Sequence, residues 1–260
     1  MNGWFMYNPL SWPPSPYLNV LPIAFHITPD IGQDIRFMWE GEGGEWLKAH
    51  APIGCRDIST KTILENNGIP AYFSGCLTLT IEPLKNCEYH GKVVLSDLPP
   101  EIVHFVMTRT KKETFYLSHT VNLTVKHSWD MRRNLTEQLL KIYQGASLVV
   151  TSRLHSALPC LALGTPVLLV SSMLDNARIQ TYLPFLHHTT PQDLLNGNFT
   201  YDFNLPVKNP SKHIEIAQSL RRRCKEFIDE CEKNPFKEPR VDYEETVKRI
   251  RRLKSIAFHR

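Results

Sequence analysis

The sequence predicts an α/β protein built as two Rossmann-like lobes in series. Three observations lead there. Short β-branched runs alternate with helical patterns, which implies parallel strands joined by helical crossovers. That alternation occurs twice, once before and once after Gly91. The residues with the most chemistry fall where strands end, the edge at which open α/β sheets bind ligands.

The chain has 260 residues, 42% of them hydrophobic and 10% aromatic. That composition suits a folded globular protein and excludes a disordered one. No apolar run is long enough to cross a bilayer, and Met1-Asn2-Gly3-Trp4-Phe5 lacks a signal peptide's basic start and apolar run. The expected location is therefore cytoplasmic.

In the first lobe, Asn2 to Met6 is expected as a short strand. The loop Asn8 to Tyr17 is rich in proline and aromatics, so it should be rigid but irregular. Trp12 and Tyr17 in it could stack on a sugar or pin the loop to the core. Val20 to Thr28 reads as a buried strand that includes His26. Glu42 to His50 reads as a helix and Ala51 to Asp57 as strand and turn. Ser59 to Asn67 reads as a helix with Ile63 and Leu64 inward and Gly68 as its stop. Ile69 to Phe73 follows as a strand, and Ser74-Gly75-Cys76 turns.

In the second lobe, Lys92 to Ser96 is a strand, Pro99 to Met107 a helix and Thr114 to Ser118 a strand. Leu135, Leu139, Leu140 and Tyr143 mark Met131 to Gln144 as a helix. Ser147 to Val170 reads as strand, tight turn, helix, strand. Thr181 to Thr190 is expected as a final strand, and Pro210 to Glu232 and Tyr243 to Ile256 as helices. The expected domains are 1–88 (acceptor side), 89–205 (donor side) and 206–260 (C-terminal helices).

Arg153 and His155 sit where a strand hands over to a helix. A helix start presents amides and a partial positive charge, so a phosphate or carboxylate suits that place. Arg153 could instead pair with a local acid, and His155 could cap or pack. Arg56 and Ser74 also fall at strand ends, and together these residues suggest one composite site. Asp57 could accept protons or cap the next helix. His26 could accept protons or be a satisfied strand-end histidine.

Of the six cysteines, no pair has Cys-x-x-Cys spacing, and the acids are not clustered as metal ligands, so no metal is expected. Cys160 reads as a small core residue. The net charge is +4. Basic runs at Arg221-Arg222-Arg223-Cys224-Lys225 and Lys248 to Lys254 read first as solvated helix faces. A peripheral contact with the inner face of a membrane is the alternative, and nucleic acid is not an expected partner.

Gly54-Cys55-Arg56-Asp57 with Thr60, Leu64, Gly68-Ile69 and Phe73 to Thr80 resembles the polysaccharide pyruvyl transferase family. Thr151-Ser152-Arg153-Leu154-His155 with Leu163-Gly164-Thr165-Pro166-Val167 does too, as does Asp175-Asn176-Ala177-Arg178. By motif order the resemblance runs from about Asn2 to about Leu183. It implies a two-lobed fold similar to GT-B glycosyltransferases, with a shortened first lobe that lacks an opening Gly-Asp unit. It further implies transfer of a pyruvyl group from phosphoenolpyruvate to a hydroxyl pair of a glycan or lipid-linked saccharide, as a cyclic ketal, with no cofactor.

Arg56, Arg153, His155 and the main chain of Leu154 are then expected at the donor, and Ser74 and Gly75 at the substrate. His155, Asp57 and His26 are the expected proton-handling residues. Two other readings stay open: a nucleotide-sugar glycosyltransferase and a non-catalytic glycan-binding relative.

Overall fold

The structure is a computed structural model that describes residues 5–7, 12–15, 18–28, 32, 34–124, 126–234, 243–244, 247–248 and 251. It is a mixed α/β protein with parallel sheets. The chain divides into two compact units, residues 1–76 with 219–260, and residues 77–218.

In the first unit, α1 (Gly41–Ala49) precedes β1 (Ile53–Cys55), α2 (Ile58–Asn66) and β2 (Ala71–Phe73). β1 and β2 pair in parallel, with Gly54 opposite Tyr72. Their crossover, α2, starts at Asp57, whose carboxylate accepts the Thr60 amide at 2.8 Å. That bond satisfies one of the amides a helix start leaves without a helical partner. Gly54 has a packing reason: a Cβ there would stand 2.7 Å from the Tyr72 hydroxyl and 3.1 Å from Ser74 Cβ.

The core of this unit is aromatic. Trp12 and Phe25 stack with centroids 5.3 Å apart, and Trp46 meets Trp12 edge-on at 5.2 Å. Met38, Leu47, Ile53, Leu64 and Ile69 complete it.

Several sequence expectations are corrected here. Residues 5–7 form a single 3-10 turn rather than the end of a strand, and 2–4 lie outside the described residues. Val20 to Thr28 runs beside β1 but pairs only through the bridge from Phe25 to Cys55. Ala24 has φ +52, which breaks extended pairing before that bridge. Ile63 is only half-buried, because α2 presents Leu64 and Thr60 to the core. Trp12 is buried and its indole donates to the Met38 carbonyl at 3.2 Å, so it pins the loop and offers no sugar platform. Tyr17 lies outside the described residues.

The second unit holds a five-stranded parallel sheet. Its strands are β3 (Val93–Ser96), β4 (Thr114–Leu117), β5 (Leu148–Thr151), β6 (Val167–Val170) and β7 (His187–Thr189). Their spatial order is β4-β3-β5-β6-β7. The helices are α3 (Pro100–Met107), α4 (Trp129–Gly145), α5 (Leu154–Leu163), α6 (Ala177–Gln180) and α7 (Pro191–Leu195). β3, β5 and β6 are buried along their whole length, as strands covered on both faces should be. Val93, Leu95, Val150, Leu168 and Val170 pack with Ile102, Val106, Leu194 and Phe203.

α5 ends at Gly164, whose φ of +76 is the left-handed stop that glycine adopts at least cost. Within the expected strand from Thr181 to Thr190, Leu183–Phe185 form a 3-10 turn and pairing is confined to β7. Pro184 lacks the amide that a longer ladder would need.

α8 (His213–Lys233) follows, and its part from Ser219 belongs to the first unit. There the Arg223 guanidinium lies 4.3 Å from the Tyr72 ring centroid. Lys225 pairs with Asp229 at 2.8 Å, and Arg221, Arg222 and Lys225 are exposed. The segment Tyr243 to Ile256 lies largely outside the described residues.

Candidate functional site

The second unit carries an open pocket. The chain lays β4 on one side of β3 and then returns to lay β5 on the other. The strand order therefore reverses between β3 and β5. In open parallel sheets, ligands settle beyond the carboxyl ends at that reversal. The two strands end at Ser96-Asp97 and Thr151-Ser152-Arg153. Asp97, Ser152 and Arg153 line a pocket of about 440 Å³, with Tyr116, Ser171 and Met173 among the other walls.

Asp97 organises this place. Its backbone sits at φ +50, an uncommon conformation that Asp tolerates better than most side chains. Its carboxylate accepts the Ser118 hydroxyl at 2.5 Å and the His119 amide at 3.0 Å. It also meets Arg153 Nε at 2.5 Å. Arg153 Nη2 donates to the Thr120 hydroxyl at 3.1 Å. Asp97 is 9% exposed and Arg153 is 47% exposed, so the acid is embedded and the guanidinium reaches into solvent. Burial pushes the Asp97 carboxyl up, but Ser118, the His119 amide and Arg153 outweigh it and hold the group below its ordinary value.

A second row of polar groups lies behind. His119 Nε2 bonds the Tyr143 hydroxyl and meets Ser156 Oγ at 3.2 Å. Ser96 Oγ lies 3.3 Å from the Tyr143 hydroxyl. Burial is the main reason the His119 imidazole stays below its ordinary pKa, and Arg153 adds to it against Asp97. This row joins β3, α4, α5 and the turn after β4.

Leu154 and His155 open α5, so their amides head the helix, where its dipole favours an anion. The Leu154 side chain is buried, which leaves its main chain as the part a ligand could meet. His155 is exposed on the first turn and is not among the residues that line the pocket.

The first unit gathers a different cluster, also at strand ends. His26 Nδ1 lies 2.5 Å from Asp57 Oδ2, and both residues are buried. On the other side of the ring, Nε2 lies 2.6 Å from the Thr28 hydroxyl. Thr60 Oγ1 adds a 2.9 Å bond to Asp57. Burial raises the Asp57 carboxyl, but His26 and Thr60 outweigh it, so the group stays below its ordinary value. Asp57 thus both caps α2 and orients His26.

Arg56, the residue before Asp57 in the sequence, is buried. The Ser74 hydroxyl accepts the Ala24 amide at 3.1 Å and donates to the Cys55 carbonyl at 3.1 Å, so it is engaged within the unit. Gly75 follows at φ +80 and closes the turn after β2.

The structure therefore brings His26 and Asp57 together in the first unit, with Arg56 next in sequence, and places Arg153, Leu154 and His155 in the second. Asp97, Ser118, His119, Thr120 and Thr28 were missed from sequence. The signal for four of them was the strand-end rule: Asp97 follows β3, and Ser118-His119-Thr120 follow β4.

Among the described residues, no group of three or more His, Cys, Asp or Glu could hold a metal ion. The six cysteines are thiols outside any disulfide, and Cys160 is buried in α5, where burial pushes its thiol well up. Among the described residues, no helix is long and apolar enough to cross a membrane.

Fold and site together define a parallel α/β protein with an open pocket at a strand reversal, walled by an arginine–carboxylate pair, and a buried histidine–carboxylate pair. Comparison with known families makes this specific. The polysaccharide pyruvyl transferase family model matches residues 44–172, and over this stretch the chain belongs to that family. The match includes Gly54-Cys55-Arg56-Asp57 and Thr151 to His155, and the family implies a transferase with a glycan acceptor. No curated protein matches the chain.

Proposed function

We propose that the protein transfers the pyruvyl group of phosphoenolpyruvate to two hydroxyls of one sugar in a glycan, forming a cyclic ketal. The observation that carries this reading is Arg153. It is a half-exposed guanidinium fixed by Asp97 and Thr120 in the wall of an open pocket beside a helix start. Phosphoenolpyruvate offers a phosphate and a carboxylate close together, and a guanidinium fork matches either.

The chemistry needs few groups. The donor's methylene carbon takes a proton, which leaves cationic character on the central carbon. One sugar hydroxyl attacks that carbon and loses its proton. The C–O bond to phosphate breaks, phosphate leaves with the bonding pair, and the second hydroxyl closes the ketal and loses its proton. The two protons lost balance the one gained by carbon and the one carried off by phosphate. Arg153 and the amides of Leu154 and His155 hold the anion as phosphate departs. His155 binds or protonates the leaving phosphate. His26, oriented by Asp57, accepts a sugar proton. Arg56 is the second cation assigned to the donor. A fold similar to that of GT-B glycosyltransferases belongs to the same reading.

Incubation with phosphoenolpyruvate and galactose-containing acceptors should yield an acid-labile ketal and free phosphate in equal amounts. Protection of the protein by a nucleoside diphosphate, with none by phosphoenolpyruvate, would favour a nucleotide-sugar glycosyltransferase. Glycan binding that survives both R56A and R153A without turnover would favour a non-catalytic relative.

A further inference from the structure

The Asp57–His26 pair has a third member. An ionised carboxylate only accepts hydrogen bonds, so Asp57 at 2.5 Å places the ring proton on His26 Nδ1. When the ring is neutral its lone pair sits at Nε2, where Thr28 Oγ1 stands at 2.6 Å. In that state the Thr28 hydroxyl is placed to donate to His26. The order Thr28, His26, Asp57 is hydroxyl, base, orienting acid, the arrangement that activates an oxygen toward proton loss. His26 is 2% exposed and Asp57 is 0% exposed, while Thr28 is half-buried, so the hydroxyl is the end of the chain nearest water.

We propose that Thr28 is the proton outlet of this chain, passing the acceptor sugar's hydroxyl proton to His26. This rests on the pyruvyl transfer reading above. As the sugar oxygen bonds to the donor's central carbon, its O–H bond breaks and an O–H bond forms on Thr28 Oγ1. Thr28's own O–H bond breaks and an N–H bond forms at His26 Nε2. The imidazolium so made faces the Asp57 carboxylate, which stabilises it. After product leaves, the proton returns through Thr28 to water. A hydroxyl in the path also explains how a base this deeply buried can reach a substrate.

T28V keeps the shape and removes the hydroxyl, and T28S keeps the hydroxyl and removes the methyl. Ketal formation is measured beside donor affinity by calorimetry and the Tm of each variant. The expected result is a kcat about 100-fold lower in T28V, with donor affinity unchanged and T28S within a few-fold of wild type. In nitrogen-15 spectra, the His26 Nε2 signal should move in T28V and stay in T28S.

An active wild type matched by an equally active T28V overturns the relay alone. Equal loss in T28V and T28S overturns it too, because the methyl would then be what matters. A wild type that binds the donor yet forms no ketal overturns the transfer reading and the relay with it. In that event the nitrogen-15 shift still reports whether Thr28 donates to His26.

Discussion

Asp57 and Asp97 do the same local job in two different settings. Each follows a parallel strand, each accepts a backbone amide, and each meets a basic side chain at 2.5 Å. Asp57 holds a buried imidazole inside the first unit. Asp97 holds a guanidinium that opens to a pocket in the second. The partner's exposure decides what each pair is fit for. A buried imidazole against a carboxylate stores and returns a proton. An exposed guanidinium against a carboxylate is a fixed charge for a ligand.

The comparison breaks most readily at Asp57. D57A leaves His26 without its orienting acid and the Thr60 amide without its acceptor, deep in the core. It should cost about 3 kcal/mol or more in urea unfolding. A cost under 1 kcal/mol would mean that the pair is not part of the fold. D97A loses three partners and puts Ala at φ +50, but water can reach the remaining groups. Its expected cost is smaller, about 2 kcal/mol. Equal costs would erase the distinction between a buried and an open pair.

A pH series sharpens it further. Burial keeps the His119 imidazole below its ordinary value in the folded protein. The unfolded chain therefore binds more protons as pH falls below about 6.5. Stability from this group is intact above that pH. It falls by up to about 1.4 kcal/mol per pH unit below it, and levels off beneath the folded pKa. H119Q should flatten that part of the curve relative to wild type, and superimposable curves would contradict the assignment. The smallest effect belongs to the surface pair Lys225–Asp229, where K225A should leave the urea unfolding midpoint unchanged.

Much of this was legible in the sequence. The apolar runs Val93 to Leu95, Leu148 to Val150 and Val167 to Val170 are buried on both faces, so strand identity followed from composition alone. α2 was legible from Asp57 before it and Gly68 after it. Strand ends also flagged Arg56, Ser74, Arg153 and His155.

What failed depends on contacts distant in sequence. Trp12 stayed open between sugar platform and core pin because nothing nearby says that Met38, Phe25 and Trp46 will enclose it. Val20 to Thr28 looked like a full strand because its pattern is apolar, yet the backbone turns at Ala24. The partners of Arg153 came from the ends of two other strands, and one sequence does not state which strands are neighbours. Thr28 was invisible for the same reason: its role depends on His26 being held by Asp57, 31 residues away.

The central claim is that Arg153 fixes the donor's anion at the strand reversal of the second unit. Titration of phosphoenolpyruvate into wild type and R153A by calorimetry tests it most directly. The account predicts saturable binding to wild type and a roughly 30-fold loss in R153A, equivalent to about 2 kcal/mol for charge-assisted hydrogen bonds. Equal affinity in the two proteins would contradict it.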